Sequence, residues 1–207
     1  MPRRRQNSET DVSVTQAISR RVMRRQKGKL FLSTVFTQEG SRAAVNNALC
    51  RLVKSGVLER VFRGVYMRPK QIEFVGAVRP CAVTVMKVIT KARGETVQTH
   101  GAEAVRRFGL STQMQVVPTY YTSGPTREIR VGKGRVRLRH VAPERLQHAG
   151  TKVGLALSAL HYLGKNGVDL EVLSKISSEL NTEELNKLLS CKLPKWMRAF
   201  LSPISNG

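Results

Sequence analysis

The chain has 207 residues, with 36 Lys and Arg against 14 Asp and Glu, a formal charge of +22 and a pI near 11.1. A basic balance on this scale points to a polyanionic partner, nucleic acid before any other. No apolar run approaches the roughly 20 residues that span a bilayer, the N-terminal arginines run into polar QNSETD instead of an apolar signal core, and the widely spaced Cys50, Cys81 and Cys191 argue against a disulfide framework or a structural zinc.

These features describe a cytoplasmic protein with no metal and no cofactor. Residues 1–11 lack apolar anchors and read as a disordered basic tail. Its Arg3, Arg4 and Arg5 are either an arm for phosphates and the minor groove or a solvated terminus. From Val12 to Gln26 the spacing of Val14, Ala17, Ile18 and Val22 predicts a helix. Arg20, Arg21, Arg24 and Arg25 line its other side, as a phosphate-facing flank or a solvated face. Gly28 ends that helix, Leu30 to Leu32 reads as a short strand that pairs with a later hairpin, and Ser33 to Glu39 as a short helix with Val35 and Phe36 inward.

The next stretch organises the first half of the chain. Ser41 offers an N-cap oxygen and Gly56 a left-handed closure, so the residues between them are predicted to be helical. At about 100° per residue, Val45, Ala48, Leu49, Leu52 and Val53 share one arc, while Arg42, Ala43, Asn46, Asn47, Cys50, Arg51 and Lys54 share the other. After Gly56 the period becomes two, and Arg63-Gly64 sits where a tight hairpin turns. Helix, short helix, polar-faced helix and basic hairpin make a winged helix-turn-helix over residues 12–75, whose natural partner is double-stranded DNA. Its candidate DNA-binding residues are Arg42, Ala43, Asn46, Asn47, Arg51 and Lys54 on the recognition helix, Arg60, Arg63 and Arg68 on the wing, and Arg20 and Arg24 on the flank.

Pro69, Gly76 and Pro80 mark a connection into a second domain, residues 76–207. A helix is predicted from Cys81 to Arg93 with Val85, Val88 and Ile89 inward, then a strand in ETVQTHG and a helical turn in AEAVRRFG. From Gln113 to His140 the pattern is strand-rich, with Val116 to Tyr121 apolar and turns at Ser123 to Pro125 and Gly132 to Gly134. The last third is helical: Gly150 to Leu163 with Leu155, Leu157, Leu160 and Tyr162 as its apolar positions, Leu170 to Leu180, Thr182 to Leu189 behind an Asn181 cap, and Pro194 to Leu201 around Trp196. The expected fold is therefore α+β: an N-terminal winged helix-turn-helix followed by a mixed α/β domain with antiparallel hairpins and a helical end.

Arg135, Arg137 and Arg139 alternate with Val136 and Leu138, which puts three like charges on one strand face roughly 6.5 to 7 Å apart. Glu128 and Glu144 are the nearby acids, so the ladder is either a surface for an anion or acidic partner or a solvated sheet face. An enzyme is not expected. Only Asp11 and Asp169 supply aspartates, and the four histidines show no metal-ligand spacing, though His100 with Glu103 and His140 with Glu144 form candidate acid/base pairs.

The run GSRAAVNNALCRLVKSGVLERVFRGVYMRPK closely resembles the N-terminal winged helix of AbiEi-type antitoxins of abortive-infection (type IV) toxin-antitoxin systems. HGAEAVRRFGLSTQMQVVPTYYTSGPTREIRVGKGRVRLRHV and the late LPKWM resemble the companion domain of a bacterial branch of that family. The resemblance covers residues 12 to 201. It implies a winged helix that binds inverted repeats at its own promoter, as a monomer or weak dimer with two copies on the operator, and represses transcription. It also implies a C-terminal domain that antagonises a nucleotidyltransferase-type toxin encoded next to it. The alternative is a DNA-binding transcriptional regulator of plasmid, phage or chromosomal origin without a toxin partner.

Overall fold

The structure, a computed structural model, describes residues 14–74 and 76–201. The expected basic tail and Val12 and Ser13 of the first expected helix lie outside the described residues. The chain divides into two compact units, one running to Ile89 together with Arg130–Gly134, the other Thr90–Ile129 with Arg135–Gly207.

In the first unit, residues 14–23 form α1. Val14, Ile18 and Val22 are buried on successive turns, as their four-residue spacing requires. The helix stops at Met23, short of the expected Gln26, because its last carbonyls are taken by another element. The Arg68 guanidinium donates to Met23 O at 2.7 Å and to Arg25 O at 2.8 Å. Strand β1 (Leu30–Leu32) follows, and Ser33–Glu39 is a 3₁₀ helix. Its seven residues include the β-branched Thr34, Val35 and Thr37, and short pieces of this kind favour the tighter turn. Helix α2 spans Arg42–Lys54, with Ser41 Oγ accepting from Ala44 N–H at 3.2 Å. Gly56 turns the chain out of α2 at φ +73°, a left-handed value that a Cβ would penalise.

Strands β2 (Glu59–Phe62) and β3 (Val65–Met67) form the wing around Arg63-Gly64. The sheet order is β1-β3-β2, antiparallel throughout, with Phe31 opposite Tyr66 and Tyr66 opposite Arg60. This is a winged helix. Its core joins Phe31, Phe36, Leu49, Leu58 and Tyr66; Phe31 meets Phe36 edge-on at 5.8 Å and stacks on Tyr66 at 6.3 Å. Beyond it, β4 (Gln71–Ile72) and β5 (Gly76–Ala77) make a two-stranded ribbon within the expected connection, and α3 (Ala82–Ala92) buries Val85, Met86 and Ile89.

The second unit contains β6 (Val97–Thr99), α4 (Gly101–Arg107), β7 (Thr119–Thr122) and most of β8 (Arg127–Val131) and β9 (Gly134–His140), whose connecting residues Arg130–Gly134 are counted with the first unit. Its strands are ordered β6-β7-β9-β8. Antiparallel hairpins alone do not account for this sheet, since β7 pairs with β9 in parallel, Tyr121 opposite Arg139. Residues 111–118 are not strand, and Val116 is 94% exposed, so the expected apolar strand begins only at Thr119. Pro118 cannot donate to a ladder, and Gln115 occupies the Thr119 N–H from the side at 3.3 Å.

The helical end comprises α5 (Lys152–Leu163), α6 (Leu170–Ser178), α7 (Thr182–Leu189) and α8 (Lys195–Leu201). Each of α5, α6 and α7 starts on a side-chain cap: Thr151, Asp169, and Asn181 with Glu184 in a reciprocal capping box. Leu157, Leu160, Ile176, Leu188 and Met197 are fully buried in their shared core. Tyr162 is half-exposed. Gly101 of α4 lies against it, so close that a Cβ there would lie 2.2 Å from the Tyr162 Cβ.

Candidate nucleic-acid interface

Between the 3₁₀ helix, the start of α2 and the wing lies a groove of about 760 Å³. Arg42, Asn46 and Cys50 reach it from one face of α2, since residues four apart stack along a helix. Arg60, Arg63 and Tyr66 reach it from the wing. The lining carries three arginines and no carboxylate, which gives it a positive field. Hydroxyls of Ser33, Thr34 and Thr37 complete it, and sequence reading missed them. Their signal was a spacing of one and four residues in the short helix preceding α2.

The other expected DNA-binding residues distribute as follows. Ala43, Asn47 and Lys54 are exposed on α2 outside the groove lining, and Arg20 and Arg24 are exposed on the flank. Arg51 leans toward α1, donating to Thr15 Oγ1 at 3.3 Å. Arg68 departs from the expected wing contact: its guanidinium closes the end of α1 instead. The flank is not a uniform phosphate-facing row either. Arg21 pairs with Glu39, and Arg25 lies 4.8 Å over the Phe31 ring, a cation–π contact that packs its stem against the core. Burial raises the Tyr66 phenol above its ordinary range, and Arg60 opposes that rise.

A family model described as "Family of unknown function (DUF6088)" matches residues 17–188. The chain belongs to DUF6088. No curated protein matches it. Among solved structures it is similar to the RV2827C protein from Mycobacterium tuberculosis, at 14% identity over 94% of this chain and 81% of that one, with a TM-score of 0.35.

In the second unit of this DUF6088 chain, Arg135, Arg137 and Arg139 are exposed and Val136 and Leu138 buried, as a period of two requires. The ladder is partly compensated, since Arg137 Nε meets Glu128 Oε2 at 3.1 Å. Neither candidate acid/base pair forms. Glu103 is held by Arg106 and Arg107, whose hydrogen bonds pull its carboxyl down to about 2, and Glu144 faces Lys192 at 3.0 Å. His100 Nδ1 accepts from Ala102 N–H at 3.2 Å, capping α4, and His140 Nδ1 lies 2.9 Å from Gly124 O. Among the described residues no cluster of three or more His, Cys, Asp or Glu could hold a metal ion, and no helix is long and apolar enough to cross a membrane.

Proposed function

We propose that this protein is a sequence-specific double-stranded DNA-binding regulator that acts in the cytoplasm on its own promoter. The observation that carries the reading is the groove in which the polar arc of α2 faces the arginine-tipped wing with no carboxylate between them. A recognition helix of this kind enters the major groove with its N-terminal residues on base edges, and the wing tracks the adjacent backbone. Asn46 and Arg42, on the first turns of α2, take the base edges: Asn pairs bidentately with adenine and Arg with guanine. Ser33, Thr34 and Thr37 take phosphate oxygens, as hydroxyls commonly do at such interfaces.

The resemblance of the Gly40 to Lys70 run to AbiEi-type winged helices supports a fuller form of this reading. In that form the second unit antagonises a nucleotidyltransferase-type toxin encoded next to it, and two copies sit on inverted repeats. The test of the DNA reading is fluorescence anisotropy of the full chain on a duplex from its own upstream region and on a shuffled duplex of equal length. Saturable binding with a clear preference for the first is the expected outcome; equal affinity for both removes sequence readout. The fuller form is checked by growth of cells co-expressing the neighbouring gene with the wild-type chain or with the triple change of Arg135, Arg137 and Arg139 to Gln. Absence of a neighbouring toxin, or no rescue by the wild-type chain, leaves the plain regulator.

A further inference from the structure

A second polar cluster lies in the other unit, where DNA reading makes no use of it. Strand register places Gln98, Tyr121 and Arg139 in one row across β6, β7 and β9, and paired residues project from the same face of a sheet. His100, one residue past β6, packs its ring 4.7 Å from that of Tyr121. The Arg145 guanidinium covers the same tyrosine at 4.7 Å. Helix α5 brings up Ser158, His161 and Tyr162 at helical spacing, with the Tyr162 ring 5.7 Å from that of His100.

Four side-chain atoms here are buried without a hydrogen-bond partner: Gln98 Nε2, Arg145 Nε, Ser158 Oγ and His161 Nε2. They are four of the five such atoms among the described residues, and each can donate a proton. Gln98 and Ser158 are each 2% exposed, so bulk water does not satisfy them. The surrounding carboxylates are engaged by other cations, Glu103 by Arg106 and Arg107, Glu128 by Arg137, and Glu144 by Lys192. Burial, and then the neighbouring Arg139 and Arg145, hold His100 below its ordinary range; burial and Arg145 do the same to His161. With Nδ1 of His100 accepting from Ala102 N–H, the neutral ring carries its proton on Nε2. The result is a concentration of donors and positive charge beside carboxylates that are already engaged.

We propose that this cluster binds the phosphoryl group of a small phosphate monoester. Arg139 and Arg145 offset the dianion, His100 and His161 supply N–H donors, and the half-exposed Tyr162 ring receives the organic part of the ester. A dianion matches two permanent cations, whereas the phosphodiester of a duplex carries one charge and is held away from such depth by its own backbone.

The test follows histidine-ring ¹⁵N signals of the full chain during titration with inorganic phosphate, adenosine 5′-monophosphate and adenosine. Expected are saturable shifts of His100 and His161 with both phosphates, tighter binding of the monophosphate, and no shift with adenosine. Arg139→Gln and Arg145→Gln each weaken monophosphate binding about tenfold, the effect of one charge-assisted hydrogen bond, and Arg135→Gln leaves it unchanged. Because Arg139 is exposed, its variant keeps the fold and the comparison stays decisive. No saturable shift up to about 10 mM, undiminished binding in Arg139→Gln, equal affinity for the two phosphates, or displacement of the monophosphate by a DNA duplex would each overturn the proposal.

Discussion

Arg63 stands at the tip of the wing, exposed, in a turn whose unusual backbone is carried by Gly64 at φ +76°. Arg63→Ala therefore removes one charge without disturbing the hairpin. Each phosphate neutralised on duplex DNA contributes about 0.9 to the slope of log affinity against log salt, so the groove's wing arginines, Arg60 and Arg63, would together contribute about 1.8 per bound copy. Between 50 and 200 mM salt that amounts to roughly 12-fold in affinity, and about 3.5-fold once Arg63 is gone. At about 0.1 M salt the variant binds about eightfold more weakly, or ~1.2 kcal/mol, on any sequence. Anisotropy titrations of wild type and variant at four salt concentrations, on the upstream duplex and on its shuffled control, measure both quantities. An unchanged slope places Arg63 away from the phosphates, and a loss confined to the upstream duplex makes it a base reader; either result refutes the reasoning.

Asn46→Ala is expected to cost about 1 to 3 kcal/mol on the upstream duplex and far less on the shuffled one, read in the same assay. Phe36→Ala empties the centre of the winged-helix core and should lower its stability by about 3 to 5 kcal/mol in urea melts. Gly101→Ala drives a methyl into Tyr162 and the Ser158 carbonyl, so a loss of about 2 kcal/mol or more is expected in the second unit's melting transition. Glu103 is ordinarily near 4.5 and falls to about 2 in the fold. Its stabilisation is therefore present above about pH 4.5 and is lost as pH falls toward 2. That shift sets a ceiling of about 3 kcal/mol, which screening of a side chain one-quarter exposed reduces to about 1 kcal/mol. Glu103→Gln should remove this part of the acid dependence in melts between pH 2 and 7.

Periodicity made the winged helix legible because each of its elements satisfies its own local rule. Val14, Ile18 and Val22 repeat at four, Ser41 and Gly56 bracket α2, and Arg63-Gly64 falls between two alternating runs. Arg68 and Arg25 were not legible in the same way. An arginine on a strand or a helix flank carries no mark that distinguishes a solvent-facing charge from one that closes a helix end or lies on an aromatic ring. The parallel pairing of β7 with β9 escaped for a related reason, since alternation identifies strands and says nothing of their neighbours. In residues 111–118 an apolar run, Val116 and Val117, resembled a strand, and only the backbone shows Gln115 and Pro118 ending the ladder there.

The winged helix is closed by contacts among neighbours in sequence: its core and its sheet are complete by Met67. The core of the second unit draws on α4 through α8 and waits for Leu201. At the usual 5 to 20 residues per second of synthesis, the intervening stretch of about 130 residues takes roughly 6.5 to 26 seconds. Throughout that interval the nascent chain carries a finished winged helix ahead of a second unit that cannot yet fold. A ribosome stalled or a message truncated in this window would release a product with the groove intact and the second unit's core incomplete. Expression of such a fragment would then be a change of function and not merely a loss of protein.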